Sequence, residues 1–189
     1  MKLKILWLAI LALPLAAVAL EPGDDAPRFE LMNQDGERWA LGEHLGGRPI
    51  VIYFYPAAMT GGCTKQACTY RDYMAGGSPA FEVVGISADA VEGLRHFRTA
   101  ENLNFPLLSD PEGRVAQSFG VTVKPGEKMI TRTVGGKEVE LVRTATTARW
   151  TFVVSPEGVI LYKSDQVKPT EDLQNVLSVL QNIPPQSGN

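Results

Sequence analysis

The sequence predicts an α/β domain, a mixed central sheet flanked by helices in three layers. Three observations predict it. Short apolar runs alternate with helix-like segments between residues 29 and 119, the pattern of strands packed against helices. The run Ile50–Tyr55 is apolar and aromatic throughout, as a buried strand requires. The chain then closes with two further strand-like runs around a Pro-Glu-Gly turn and one amphipathic helix. With 189 residues, 44% of them hydrophobic and 21% charged, the chain is long enough for one domain with a real core.

Each element follows from local chemistry. Leu20 to Ala26 is a polar, extended lead-in. Phe29–Met32 and Arg38–Leu41 flank Asn33-Gln34-Asp35-Gly36, and Asp-Gly between such runs signals a hairpin. Glu43–Gly47 is a loop carrying His44. After the strand at Ile50, Pro56 ends the ladder, since proline has no N–H to donate. Gly61 and Gly62 loosen the backbone, and a helix is expected from Cys63, where Lys65, Gln66, Ala67, Arg71 and Met74 are good formers. Phe81–Ser87 is the next strand, and Asp89 is placed to cap a helix over 90–101. Leu94 and Phe97 of that helix should face the core, with Arg95 and Arg98 outward and His96 at its surface. Phe105–Leu108 is a short strand, and Val115–Phe119 a short helix stopped by Gly120. Met129–Val134 and Lys137–Val142 flank Gly135-Gly136, a second hairpin expected around 129–142 as an elaboration of the sheet edge. Arg149–Val154 and Val159–Tyr162 form a strand pair. Thr170 should cap the last helix, with Glu171 and Asp172 in its first turn and Leu173, Val176, Leu177 and Leu180 on its apolar face.

The ends read differently. Lys2 and Lys4 precede an apolar run from Ile5 to Val18, and Ala17-Val18-Ala19 places small residues where a signal peptidase reads. The expected organisation is a signal peptide at 1–19, a domain at 20–183 and a flexible tail at 184–189. Cleavage near Ala19 sends the chain to a periplasm or outside the cell, without stable membrane association. N-terminal sequencing of the exported protein should begin near Leu20, whereas an intact Met1 in a membrane fraction would indicate an anchor instead. The net charge is −3. Without Lys2 and Lys4 it is −5, from 16 basic and 21 acidic side chains. A mildly acidic chain without a basic cluster is a poor nucleic-acid binder.

The chemistry is concentrated between Tyr53 and Asp72, where both cysteines lie. Cys63 falls near the start of a helix that follows a strand and a tight loop. The first turn of a helix presents unpaired N–H groups and the positive end of its dipole. A thiol placed there ionises more readily, and the thiolate is the reactive form. The bland reading is a small buried hydrophobe, but a second cysteine close by, Thr60 and a glycine pair weigh against it. Export also allows a purely structural Cys63–Cys68 disulfide.

Pro56, Thr60 and Cys63 spell Pro-x-x-x-Thr-x-x-Cys, which resembles the active-site signature of peroxiredoxins. Cys68, five positions on, and the pair Arg71-Asp72 resemble the bacterioferritin-comigratory, or Q-type, branch. The resemblance runs from about Pro27 to Leu180. Gly61 departs from it, standing where many members carry proline. The resemblance implies a thioredoxin-like fold and a thiol-dependent peroxidase acting on hydrogen peroxide and organic hydroperoxides, without cofactor or metal, as a monomer or weak dimer. By the same resemblance, Cys63 attacks peroxide, Pro56 shields the sulfur and Thr60 hydrogen-bonds the sulfur or the peroxide. Arg149 stabilises the thiolate and the breaking bond. Cys68 then closes a disulfide that a thioredoxin-like protein reduces.

The rival readings fit less well. A thioredoxin-like oxidoreductase has two residues between its cysteines and a copper chaperone on that fold three, whereas here there are four. His44 and His96 lack ligand spacing with the cysteines. A static disulfide would leave Thr60 and Arg149 without a role, and so small a loop gains limited stability. The resolving role of Cys68 has a geometric consequence. Across an intact helix, residues 63 and 68 would have Cα atoms roughly 8.6 Å apart on nearly opposite faces. A disulfide tolerates about 7 Å, so the helix must unwind to close it.

Overall fold

The computed structural model describes residues 20–182. The expected signal peptide and the tail from residue 184 lie outside the described residues. Nine strands and four helices are present there. In chain order they are β1 (Glu30–Asn33), β2 (Arg38–Ala40), β3 (Ile50–Phe54), α1 (Gly61–Met74), β4 (Glu82–Ser87), α2 (Val91–Glu101) and β5 (Leu107–Ser109). They continue with α3 (Arg114–Ser118), β6 (Val123–Val134), β7 (Lys137–Thr147), β8 (Trp150–Val154), β9 (Ile160–Ser164) and α4 (Asp172–Gln181). Seven strands form one mixed sheet in the order β2-β1-β5-β4-β3-β8-β9. β3, β4 and β5 run parallel, and the remaining pairings are antiparallel. The mixed sheet flanked by helices is the α/β architecture that the strand and helix pattern predicts, and its topology is the thioredoxin-like one that the resemblance implied.

Alternation along β3 explains the layers. Successive side chains point to opposite faces, and every residue of this strand is buried. Val51 and Tyr53 pack with Ala67 and Tyr70 of α1, Leu94 and Phe97 of α2, and Leu173 and Val176 of α4. Ile50, Ile52 and Phe54 face the other way, onto Val115 and Ala116 of α3, Phe119, Trp39 and Leu41. Each such large side chain stabilises the fold by roughly 1.5–3 kcal/mol relative to exposure. One close approach constrains the sequence tightly. A Cβ on Gly85 would lie 2.6 Å from the Tyr53 ring and hydroxyl, so only glycine lets β4 run beside Tyr53.

The lead-in at residues 23–26 lies along β9, with Gly23 N–H on the Ile160 carbonyl and Ile160 N–H on the Asp24 carbonyl. Four local expectations need correction. The glycine pair belongs to the first turn of α1 rather than to the preceding loop, with Thr60 at the N-cap position. Asp89 does not cap α2, whose N-cap residue is Ala90; its side chain is buried and turned elsewhere. Thr170 does not cap α4 either, as the N-cap position falls at Glu171. The second hairpin is longer than its sequence signal and forms a separate two-stranded sheet, β6–β7, instead of extending an edge of the main one. It is tied to the body in the middle of β7, through Ala90 N–H to Val142 O, and at its base, through Thr147 Oγ1 to Tyr55 O.

Candidate active site

The loop leaving the C-terminal end of β3 is held from several sides. Tyr55 N–H donates to Ile86 O on β4 at 3.0 Å, and Tyr55 O accepts from Thr147 Oγ1 at 2.9 Å. Ala58 N–H donates to Asp89 Oδ2 at 2.8 Å, and the same oxygen accepts from Ser87 Oγ at 2.8 Å. Burial pushes the Asp89 carboxyl up, while those two donors and Arg143 hold it down. Between Ala58 and Thr60, Met59 has φ of 54°, a left-handed conformation that a non-glycine residue adopts only where its surroundings enforce it. Half-buried Pro56 opens this loop. Thr60 Oγ1 donates to Ala57 O at 3.0 Å. The hydroxyl proton is committed there instead of to sulfur, and Thr60 presents its lone pairs.

Cys63 is the third residue of α1, where the amides have no intrahelical acceptor. It is 1% exposed. Arg149, just ahead of β8, donates from Nη2 to Cys63 Sγ at 3.2 Å. Pairing of β8 with β3 puts Trp150 opposite Phe54, which brings the arginine to the end of the sheet where α1 starts. Arg149 Nη1 donates to the side-chain oxygen of Gln66, one turn beyond Cys63. The Gln66 amide in turn donates to Asp172 Oδ2 at 2.7 Å. A Cβ on Gly61 would meet nothing within 4 Å. The position is the first of the helix, where proline also fits, so glycine there changes backbone freedom and removes no contact.

Cys68 lies on the same helix and is partly exposed. Its Sγ contacts Glu101 Oε2 at 3.6 Å. Burial pushes the Cys68 thiol up, Arg71 pulls it back, and Glu101 adds to the rise. The two cysteines are free thiols. His44 stacks on Trp39 and bonds Glu82 at 3.1 Å. Glu82 starts β4 beside Ile50, at the opposite end of the sheet from Pro56.

A sulfur at a helix start, contacted by a guanidinium and followed on the same helix by a second thiol, is an arrangement suited to thiol redox chemistry. The family model described as the AhpC/TSA family matches residues 22–163. Peroxiredoxin Bcp of Escherichia coli K12 is 40% identical over 162 residues, covering 85% of this chain and 96% of that one. This chain is a peroxiredoxin of the AhpC/TSA family, in its Bcp/PrxQ branch. The peroxiredoxin is also 36% identical over 163 residues to the chloroplastic peroxiredoxin Q of Oryza sativa subsp. japonica, covering 85% of this chain and 67% of the plant one. Among solved structures, peroxidoxin BcpB of Mycobacterium tuberculosis superposes with a TM-score of 0.71 at 34% identity, over 87% of this chain and 99% of that one. Bacterioferritin comigratory protein of Xanthomonas campestris gives 0.65 at 27% identity, over 81% and 90%. Thiol peroxidase activity, with peroxide as substrate and a thiol as reductant, follows from membership.

Sequence reasoning singled out Cys63, Cys68, Thr60, Pro56 and Arg149, and the structure brings four of them to one loop and helix start. Cys68 is placed away, against Glu101. Gln66, Asp172 and Asp89 were missed as site residues. Gln66 carried a signal, since a polar residue three positions after Cys63 must share a helix face with it. Asp172 and Asp89 carried none beyond their apparent suitability for helix starts.

Proposed function

We propose that Cys63 is the peroxidatic residue and Cys68 its resolving partner within the same chain. The observation that carries the reading is Arg149 Nη2 at 3.2 Å from Cys63 Sγ, at the start of α1. The thiolate sulfur attacks one peroxide oxygen, the S–O bond forms, and the O–O bond breaks. The leaving alkoxide or hydroxide takes a proton and departs as alcohol or water. Sulfur is oxidised to sulfenic acid, and Arg149 stabilises the negative charge on sulfur and on the leaving oxygen. Thr60 Oγ1, whose proton is committed to Ala57 O, can accept a hydrogen bond from the hydroperoxide O–H and orient the O–O bond. Pro56, by the family pattern, shields the sulfur from water. Alkyl peroxide reduction, named for the Xanthomonas campestris protein, fits this scheme, with organic hydroperoxides as substrates beside hydrogen peroxide.

Resolution is the second step. Cys68 sulfur displaces hydroxide from the sulfenic acid, which leaves as water, and the disulfide forms. Both cysteines sit on the intact α1, whose geometry holds their Cα atoms apart beyond the reach of a disulfide. The helix therefore opens to let Cys68 leave Glu101 and reach Cys63. A thioredoxin-like dithiol then restores both thiols by exchange.

Anaerobic mixing with one equivalent of peroxide tests the scheme. Two thiols should disappear per peroxide, and mass analysis should find Cys63 joined to Cys68. Amides from Thr64 to Tyr73 should exchange faster in the oxidised protein than in the reduced one, as expected for a locally opened segment. Equal protection in both states, with the disulfide confirmed, would refute the opening. Persistence of both thiols would refute the assignment itself.

A further inference from the structure

We infer that Asp172, at the start of α4, is a positioning residue for peroxide attack, acting through Gln66 on Arg149. The inference rests on the peroxidatic reading of Cys63. Three donors converge on the single oxygen Asp172 Oδ2. They are Gln66 Nε2 at 2.7 Å, Tyr70 OH at 2.7 Å and Thr151 Oγ1 at 2.9 Å. The aspartate is 1% exposed, and Gln66, Tyr70 and Thr151 are fully covered. Such a carboxylate is tolerable in the interior because its donors are pre-arranged and it lies in the first turn of α4, at the positive end of the dipole. It is not needed to cap α4: no side-chain capping bond is made there.

The direction of the hydrogen bonds is what gives Asp172 its effect. An ionised carboxylate only accepts. Gln66 must therefore turn its NH2 toward Asp172, which leaves its carbonyl oxygen for Arg149 Nη1. With the amide reversed, an NH2 would face the guanidinium, donor against donor. Asp172 thus fixes the polarity of the chain Asp172–Gln66–Arg149–Cys63. It also holds Thr151, two residues from Arg149, so both the arginine's strand and the arginine's partner are referenced to one atom. Because a neutral amide stands between them, Arg149 keeps its full charge for the sulfur and the breaking bond.

The same atom bears on resolution. Gln66 and Tyr70 flank Cys68 on α1, two residues to either side, and unwinding around Cys68 breaks both of their bonds to Asp172. The carboxylate therefore favours attack and opposes helix opening.

The test is the single-turnover rate of Cys63 with hydrogen peroxide, together with the later rate of disulfide closure, in Asp172→Asn. Asparagine keeps the shape and lets Gln66 take either orientation. The attack rate should fall about 10- to 100-fold, the worth of a hydrogen bond to a charged group, while disulfide closure speeds up. In an Arg149→Met background the same substitution should change attack less than about twofold, because its route to sulfur is already gone. An equal fall in both backgrounds, or an unchanged rate in Asp172→Asn alone, overturns the inference. Should Asp172→Asn not fold, Gln66→Met breaks the relay at its middle. The attack rate must then fall by a similar factor, and an unchanged rate overturns the inference. If the wild-type protein fails to lose the Cys63 thiol to peroxide, the peroxidatic reading itself is wrong; a normal wild-type rate with an insensitive Asp172→Asn removes only the positioning role.

Discussion

Peroxide turnover by Cys63→Ser is expected to vanish, for hydrogen peroxide and organic hydroperoxides alike. A serine hydroxyl is not ionised at neutral pH and cannot be carried through a sulfenic acid, so neither the attack nor the disulfide survives. The side chain is buried and nearly isosteric, with Arg149 as the neighbour that loses a sulfur acceptor, so the fold should persist. A thermal melt alongside the peroxidase assay separates lost chemistry from lost structure. Retained turnover in a folded Cys63→Ser protein would sink the assignment. Cys68→Ser should behave differently, completing the first attack and stalling at sulfenic acid unless an external thiol intervenes.

Arg149→Met should slow the second-order reaction of the reduced protein with peroxide by about 10²–10³-fold, the usual cost of removing one pre-organised charge stabiliser. Methionine fills similar space without charge or donors. The wild-type guanidinium spans two acceptors, Cys63 Sγ through Nη2 and the Gln66 oxygen through Nη1. Lysine has no planar fork and cannot hold both in the same geometry, so Arg149→Lys should rescue poorly. Stopped-flow mixing under single-turnover conditions reads this directly. An unchanged rate in Arg149→Met would show that another group stabilises the breaking bond.

Much of this site was legible because its parts are local. Strand β3, Pro56, Thr60 and Cys63 lie within fourteen consecutive residues, and a strand, a tight loop and a helix start place a thiol at unpaired amides whatever the rest of the chain does. The β1–β2 hairpin was legible for the same reason, since Asp35-Gly36 chooses its turn locally. Arg149 was not local. It is 86 residues from Cys63, and only its place in the family pattern suggested the contact. The hairpin of β6 and β7 was half legible. The Gly135-Gly136 turn marked its tip, but its length and its separation from the main sheet depend on which backbone groups β7 engages, Val142 with Ala90 and Thr147 with Tyr55.

Residues close in the chain were enough to predict the alternation of strands and helices, the burial of β3 and a thiol at a helix start. Periodicity and turn residues act over a few positions and survive in almost any tertiary setting. The fate of Asp89 and Asp172 depends on contacts between elements far apart in the chain. Each stands beside a helix start and reads as a residue placed for capping or for the helix dipole, because an exposed carboxylate at a helix start is favourable on its own. In the folded chain each is buried instead, Asp89 under the Ala58 amide and Asp172 under Gln66, Tyr70 and Thr151. Local propensity is the same in both cases. For Asp172 the donors come from α1 and β8; for Asp89 the Ala58 amide comes from the loop after β3, and no local pattern encodes either approach.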